Sequence, residues 1–205
     1  GSGAAILLAG DGYTLDLQAG STVTGLIDAS ATTGLNTVTI GGDLNGAYVG
    51  GAGSDVVTLF GGVTSGALLG GDGTDTLILG GLTDGALDIG QTAGFESRAL
   101  NGNGTWILSG ADSDAADWTL DSGTLRLTGS QSVNDGAGVR VNTGATLSVG
   151  GSEAINALNG TGSVIIDASQ TLYVGANNAD SVFSGIISGA GGLSQVGAGT
   201  LTLYG

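Results

Sequence analysis

The 205-residue chain is long enough for one domain of ordinary size, and its 44 glycines come with no proline, no cysteine and no histidine. Without cysteine or histidine, the sequence excludes a disulfide framework, a histidine-assisted nucleophile and the common zinc sites. A net charge of −15, from 18 acidic residues and three arginines, excludes a basic surface for nucleic acid and disfavours charge-driven binding to anionic lipid. No apolar run approaches the length of a membrane span, so no direct membrane insertion is expected.

The first half of the chain repeats with a period close to twenty residues. Three strand-like aliphatic segments recur at spacings of 19 and 20: Val38–Ile40, Val57–Leu59 and Leu77–Leu79. A series of turn glycines has nearly the same spacing: Gly25, Gly46, Gly66 and Gly85. Two interleaved series with one period indicate at least two strands per coil, and the repeat is too short for helix pairs. The sequence therefore predicts an all-β fold, a right-handed parallel β-helix (solenoid) with coils of about twenty residues.

After residue 90 the pattern is less even. Segments that begin with threonine and end with glycine recur there: Thr105–Gly110, Thr124–Gly129, Thr146–Gly150, Thr171–Gly175 and Thr200–Gly205. The spacing between their starts increases at every step along the chain, which predicts irregular and longer coils with loops at Asp112–Asp117 and Ser130–Gly138. We expect a single β-helix over 1–205, regular in 1–90 and less regular in 91–205.

The alternation of apolar and polar residues also predicts the interior. One aliphatic side chain from each of several coils is expected inside: Leu59, Leu79, Leu108, Leu127, Val149, Val174 and Leu203. Trp106 is expected to fill a wide part of the core where the coils change character, and Trp118 to cap the loop beside it.

The segment from Val182 to Gly205 carries the most specific motif of the chain. Its glycine-bounded apolar runs are Phe183-Ser184-Gly185, Ile187-Ser188-Gly189, Gly191-Gly192-Leu193 and Gly197–Leu203. This pattern closely resembles the passenger-associated transport repeat of autotransporters, the type V secreted proteins of Gram-negative bacteria. Gln195, where lysine is common, and Tyr204, where a small polar residue is usual, depart from the motif without touching its turn glycines. Phe95-Glu96 and Gly104–Gly110 are similar to a stretch that often joins two kinds of coil in such passengers.

The resemblance implies a structural role outside the cell. A passenger of this kind is displayed on, or released from, the surface of a Gram-negative bacterium after export through a C-terminal translocator barrel in the parent protein. We therefore expect a stiff, acidic stalk or adhesin segment without enzymatic activity, which supports secretion-coupled folding. Adhesion to a host-surface ligand or self-association is the first candidate for an activity of its own.

Two turns suggest an alternative, an RTX-like calcium-binding β-roll module. Gly50–Thr58 and Gly70–Ile78 both fit the nonapeptide G-G-x-G-x-D-x-U-x, in which glycines expose carbonyls and the aspartate supplies a hard oxygen ligand. The candidate calcium ligands are Asp55, Asp75 and Asp72. Glycine–aspartate turns also form for geometric reasons alone, and a plain tight turn is the favoured interpretation. No other cofactor is expected.

A polysaccharide-active enzyme is the least favoured alternative. Paired carboxylates can cleave glycosidic bonds, and Asp112, Asp114 and Asp117 lie together in a predicted loop. No basic residue accompanies them in the sequence, so a solvated acidic loop is the favoured interpretation.

Overall fold

The computed structural model describes residues 4–61 and 64–204, and these residues form a parallel β-solenoid. About 55% of the chain is in strands, and stacked strands lie about 21 residues apart in about nine turns. The single helical segment in the described ranges is a short 3-10 helix, Ile89–Gln91. Within the same ranges, no helix has the length and apolar character needed to cross a membrane. The predicted all-β solenoid and its coil length are confirmed.

Each complete coil passes over three faces, which we number in the order in which the chain reaches them. Face 1 is a five-stranded parallel sheet in the first half and a three-stranded one near the end. Its strands are β1 (Ile6–Gly10), β4 (Ile27–Thr32), β7 (Tyr48–Val49), β9 (Leu68–Leu69), β12 (Thr92–Ala93), β17 (Glu153–Ile155), β20 (Thr171–Val174) and β23 (Gly192–Gln195). A parallel bridge between Ala111 and Gln131 lies between the two sheets in chain order.

Face 2 is the longest ladder, with ten strands stacked in parallel. These are β2 (Thr14–Leu17), β5 (Thr37–Ile40), β8 (Val56–Leu59), β10 (Thr76–Gly81), β13 (Ser97–Ser109), β14 (Asp117–Leu127), β15 (Gly138–Val141), β18 (Ala157–Gly160), β21 (Ser181–Phe183) and β24 (Leu201–Leu203). β13 and β14 are long because each continues over the next corner onto face 3.

Face 3 completes each coil. Besides the second halves of β13 and β14, it holds β3 (Thr22–Thr24), β6 (Asp43–Asn45), β11 (Gly85–Asp88), β16 (Ala145–Val149), β19 (Ser163–Ile166) and β22 (Ile186–Gly189).

The core is built from inward residues of successive coils. In β5, β8 and β10 the fully buried Val38, Val57 and Leu77 are register partners, whereas alternate positions face outward. The aliphatic residues that recur at the coil length in the sequence therefore lie directly above one another in the core. Six of the seven predicted interior residues are buried: Leu59, Leu79, Leu108, Leu127, Val149 and Val174.

The prediction for Leu203 is wrong, since this side chain is 51% exposed. Leu203 is the register partner of the buried Phe183, so it points along the core column. Its strand, β24, pairs with β21 alone among the described strands. An inward position is buried only when coils stack on both sides, and among the described residues a coil stacks on only one side of Leu203.

The predicted lengthening of the coils after residue 90 is also wrong. A short coil there, from Thr146 to its partner Ser163, is followed by a longer one, from Ser163 to Ile186. The first half varies in the same way, because the step from Leu15 to Val38 is longer than the step from Val38 to Val57. The last two spacings are the largest because the segments change face there: Thr105, Thr124 and Thr146 lie on face 3, but Thr171 lies on face 1 and Leu201–Leu203 on face 2.

The turn-glycine series holds for three of its four members. A Cβ on Gly46 would lie 1.9 Å from the carbonyl oxygen of Gly25, and one on Gly66 would lie 2.5 Å from that of Gly46, so these glycines stack. Gly85 lies instead in β11, where a Cβ would lie 2.7 Å from the ring of Trp106. Trp106 fills the core there as expected, and its Nε1 donates to the Gly80 carbonyl at 3.0 Å.

Candidate functional site

Polar side chains line the corner between faces 1 and 2, just before the strands of face 2. The corner ladder, as we call it, consists of Asn36, Asp55, Asp75 and Glu96. Each accepts, through a side-chain oxygen, a backbone N–H from the equivalent position one coil earlier. The N···O distances are 3.1 Å from Tyr13 to Asn36, 3.0 Å from Asn36 to Asp55, 2.5 Å from Asp55 to Asp75 and 2.7 Å from Asp75 to Glu96. The ladder thus satisfies N–H groups at a corner where coils meet, which buried backbone requires.

Asp55 is the best-satisfied member of the corner ladder. Its side chain is fully buried, and Oδ1 accepts both the backbone N–H and the Nδ2 of Asn36, at 3.0 and 2.8 Å. Oδ2 accepts the Tyr48 hydroxyl at 2.9 Å and the Gly51 N–H at 3.3 Å. Burial, together with the hydrogen bond to Asp55 and its negative charge, raises the pKa of Tyr48, so the phenol stays a donor.

Asp75 is equally buried but only half satisfied. Oδ1 accepts the Asp55 N–H, whereas Oδ2 has no hydrogen-bond partner. The reason lies in β9, where Leu68 is the register partner of Tyr48 and supplies no hydroxyl. Burial raises the pKa of Asp75 to about 6, and the charges of Asp55, Glu96 and Asp72 add to the rise against the hydrogen bond from Asp55 N–H.

The motif glycines make room for these carboxylates. A Cβ on Gly50 would lie 2.6 Å from Asp55 Oδ2 and 1.6 Å from the Gly70 carbonyl oxygen. A Cβ on Gly70 would lie 2.7 Å from Asp75 Oδ2. The glycine–aspartate spacing of the nonapeptide is therefore what the corner ladder needs, as the tight-turn interpretation expects.

The three predicted calcium ligands do not form one cluster. The structure brings Asp55 and Asp75 together in the ladder, while Asp72 lies exposed at the turn, with its N–H bonded to the Gly51 carbonyl at 2.8 Å. Among residues 4–61 and 64–204, no group of three or more acidic, histidine or cysteine side chains could hold a metal ion. Calcium binding by these turns stays a prediction.

A second polar cluster lies inside the solenoid, between β13 and the segment that follows it. Arg98 occupies an inward position of β13, is fully buried, and pairs with Asp112 and, at 3.1 Å, with Asp114 Oδ2. Its guanidinium lies 5.9 Å from the ring centroid of Trp118, its register partner in β14. Burial raises the pKa of Asp112, although the Arg98 charge opposes the rise.

This cluster corrects two interpretations of the sequence. Trp118 is fully buried beside Arg98 and does not cap a loop. Asp112 is buried and paired, so the segment Asp112–Asp117 is not simply a solvated acidic loop. The basic partner that sequence proximity failed to show comes from the preceding coil. Asp117, the third carboxylate, is exposed and accepts the Gly138 N–H at 2.7 Å.

Glu153, at the start of β17, is a buried acid that the sequence reasoning missed. Its Oε2 accepts the Ser132 N–H at 2.8 Å, and its Oε1 accepts the Ala154 N–H at 3.3 Å. Burial raises the pKa of Glu153 to about 7, against the effect of these hydrogen bonds. No local sequence motif marks Glu153, because the N–H group that it accepts belongs to Ser132 in the preceding coil.

No protein-family model matches the chain, and neither a curated protein nor a solved structure is significantly similar to it. The fold and the geometry of the corner ladder therefore carry the functional argument.

Proposed function

We propose that this chain is a structural segment of an autotransporter passenger, a rigid stalk on the outside of a Gram-negative cell that presents adhesive regions and supports their display. The observation that supports a mechanical role is that acidic side chains connect successive coils. The carboxylates of the corner ladder, of which Asp55 and Asp75 are buried, bond coil to coil, and Arg98 pairs with two more, so these acids hold successive coils together. We propose no catalytic activity for the chain.

The secretion route is supported by the C-terminal repeat and by the lack of cysteine. The transport-repeat motif from Phe183 to Leu203 resembles the coils that precede a translocator barrel. A chain without cysteine forms no disulfide that would hinder export of an unfolded polypeptide. A solenoid also folds by adding coils to a formed end, which suits emergence through a pore.

Surface display tests this proposal. The chain is fused upstream of an autotransporter barrel in a Gram-negative host, and protease shaving with antibody labelling of intact cells measures exposure. We expect the fusion to reach the surface as a protease-resistant rod. The matched variant is Leu127→Asp, which places a charge in the core. This variant should reach the cell surface in a smaller amount, or be degraded there by the protease. Retention of the folded parent chain in the periplasm contradicts the proposal.

A calcium module is the second candidate, and one observation favours it: Asp75 Oδ2 is a buried oxygen without a partner. Isothermal titration calorimetry with Ca²⁺, on protein first freed of metal by a chelator, tests the calcium site, with Asp75→Asn as the control. Heat of binding and a rise in melting temperature that are lost in the variant support the calcium site. No heat and an unchanged melting temperature exclude it.

A further inference from the structure

Face 2 has a shallow polar cleft away from the corner ladder, where β14, β15 and β18 lie side by side. Its volume is about 150 Å³, and Gly138 and Ala157, which are register partners, form its floor. A Cβ on Gly138 would lie 3.2 Å from Asp117 Oδ1 and 3.6 Å from Ala157 Cβ. A side chain at position 138 would therefore take up space in the depression.

One side of the cleft is a column of outward side chains on three successive strands. Thr119, Arg140 and Asn159 are register partners, and adjacent parallel strands lie about 4.8 Å apart. A ligand of the size of one sugar ring can contact all three.

Arg140 differs from the other two arginines of the chain. Arg98 is buried against two aspartates, and Arg126 pairs with Asp167 at 2.6 Å. Arg140 is exposed, and within the described parts of the chain its guanidinium has neither an ion pair nor a hydrogen bond. A free guanidinium on a protein of net charge −15 marks a place where an anionic group can be held locally.

The asparagines beside Arg140 add hydrogen-bond donors. Asn159 Oδ1 accepts the Val182 N–H at 3.0 Å, and Asn156 Oδ1 accepts the Asn177 N–H at 3.3 Å. With both oxygens used between coils, the two Nδ2 groups have no partner in the described ranges and are free to donate. The single carboxylate of the cleft, Asp117, already accepts the Gly138 N–H.

We propose that this cleft binds the carboxylate-bearing ring of an acidic saccharide. Arg140 pairs with the carboxylate, because its planar guanidinium matches two carboxylate oxygens, and Asn156 and Asn159 donate to ring and hydroxyl oxygens. The apolar side chains of Trp118 and Val139 in the lining are buried, so the side chains that a ligand meets in the cleft are mainly polar, which favours a hydroxyl-rich ligand over a peptide. This proposal names the class of ligand for the adhesive role, and its biological meaning therefore rests on the proposed function.

Titration of the purified chain by two-dimensional ¹H–¹⁵N NMR tests the site. The probes are methyl β-D-glucuronide, the matched neutral methyl β-D-glucoside, and sodium acetate. We expect the glucuronide to shift the amide signals of Thr119, Gly138 and Arg140 and the side-chain NH₂ signals of the two asparagines. The glucoside and acetate should each bind at least tenfold more weakly, because each lacks one half of the interaction.

Four variants sharpen the test. Arg140→Gln should weaken glucuronide binding about tenfold or more, whereas Arg126→Gln, which changes the net charge equally, should leave it unchanged. Asp117→Asn keeps an acceptor for the Gly138 N–H and should tighten binding about two- to fivefold by removing an opposing charge. Gly138→Val should fill the cleft and abolish binding without removing a charge. A dispersed NMR spectrum confirms that each variant is folded.

Several results would overturn the proposal. These are no shift at the solubility limit of the glucuronide, glucoside binding as tight as glucuronide binding, and full binding by Arg140→Gln. If acetate binds as tightly as the glucuronide, the site recognises a carboxylate alone, and the proposed specificity for a saccharide is wrong. All of these outcomes are independent of surface display, so failure of the ligand and failure of the stalk proposal are distinguishable.

Discussion

The corner between faces 1 and 2 carries buried carboxylates in the first half of the chain, and half-buried or exposed polar side chains in the last coils. In the first coils, the buried Asp55 and Asp75 reach back to accept an N–H from the preceding coil. In the last coils, Asn156, Asn178 and Asp180 reach forward instead, and accept the N–H groups of Asn177, Ala198 and Thr200 at 3.3, 2.8 and 2.7 Å.

The two halves therefore solve one problem with different electrostatic consequences. An amide oxygen and a carboxylate oxygen can both replace a missing carbonyl acceptor at a corner. Only the carboxylate loses hydration energy as a charge when it is buried, and only it responds to pH. The buried carboxylates should therefore make the stability of the first half depend on protonation at this corner.

Removal of Asp55 should be the most damaging change to the corner ladder. Asp55→Ala leaves the Asn36 N–H and the Tyr48 hydroxyl buried without acceptors, and each such group costs about 1–3 kcal/mol. We expect the free energy of unfolding, measured by urea titration, to fall by about 3–5 kcal/mol. Native-state hydrogen exchange should place the loss in β5 and β8, because coils interact mainly with their neighbours.

Asp72→Ala is the matched control, since it removes an exposed aspartate from the adjacent turn. Its effect should stay within about 0.5 kcal/mol. Both measurements are repeated with Ca²⁺ and with a chelator, because a structural role of Asp55 predicts the same loss in either. An equal loss for the two variants, or a loss seen only with Ca²⁺, would contradict the ladder.

The second-largest expected effect is the change of the free energy of unfolding with pH. The pKa of Asp75 is raised from 3.8 to about 6, so the folded state holds a proton that the unfolded state releases. Stability should therefore be full below about pH 4 and should fall as the pH rises to about 6, by up to about 3 kcal/mol. Urea titrations across this window measure the fall.

Asp75→Asn should remove that part of the pH dependence and leave an amide acceptor at this corner, as Asn36 and Asn156 already are. The amide keeps an acceptor for the Asp55 N–H and carries no charge. A residual fall should persist up to about pH 7, because the pKa of Glu153 is raised from 4.5 to about 7 on face 1 of the second half. An unchanged slope between pH 4 and 6 in Asp75→Asn would show that Asp75 does not carry the effect.

The sequence was sufficient to predict the solenoid because each coil repeats its own pattern. Val38, Val57 and Leu77 recur at the coil length, and register follows from that spacing alone. The nonapeptide also marks Asp55 and Asp75, which the structure places at one corner. Their role was harder to predict, since calcium ligation and backbone capping require the same glycines and the same aspartate.

What the sequence could not provide was the assignment of segments to faces. Thr146 and Thr171 begin similar segments but lie on faces 3 and 1, so their spacing does not measure a coil. Arg98 shows that a signal was present and was missed. It stands one coil length after the inward Leu77, its register partner, at a position where a charged residue requires buried partners. Those partners come from another coil, and local sequence gives no indication of them.

The smallest expected effect comes from giving Asp75 the partner that Asp55 already has. Leu68→Tyr places a phenol at the register position of Tyr48, one coil on, where its hydroxyl can donate to Asp75 Oδ2. Relative to Leu68→Phe, which adds the ring without the hydroxyl, we expect a gain of about 1 kcal/mol above pH 6. The comparison with phenylalanine separates the hydrogen bond from any cost of packing a larger ring.

The same substitution sharpens the comparison between the two aspartates. A donor on Oδ2 favours the charged form, so the pKa of Asp75 should move down from about 6 in Leu68→Tyr. The fall in stability with rising pH should become shallower there and not in Leu68→Phe. The reverse change, Tyr48→Phe, removes the hydroxyl from Asp55 and should cost about 1 kcal/mol. If Leu68→Tyr and Leu68→Phe have the same pH dependence, the missing hydroxyl does not explain why Asp75 differs from Asp55.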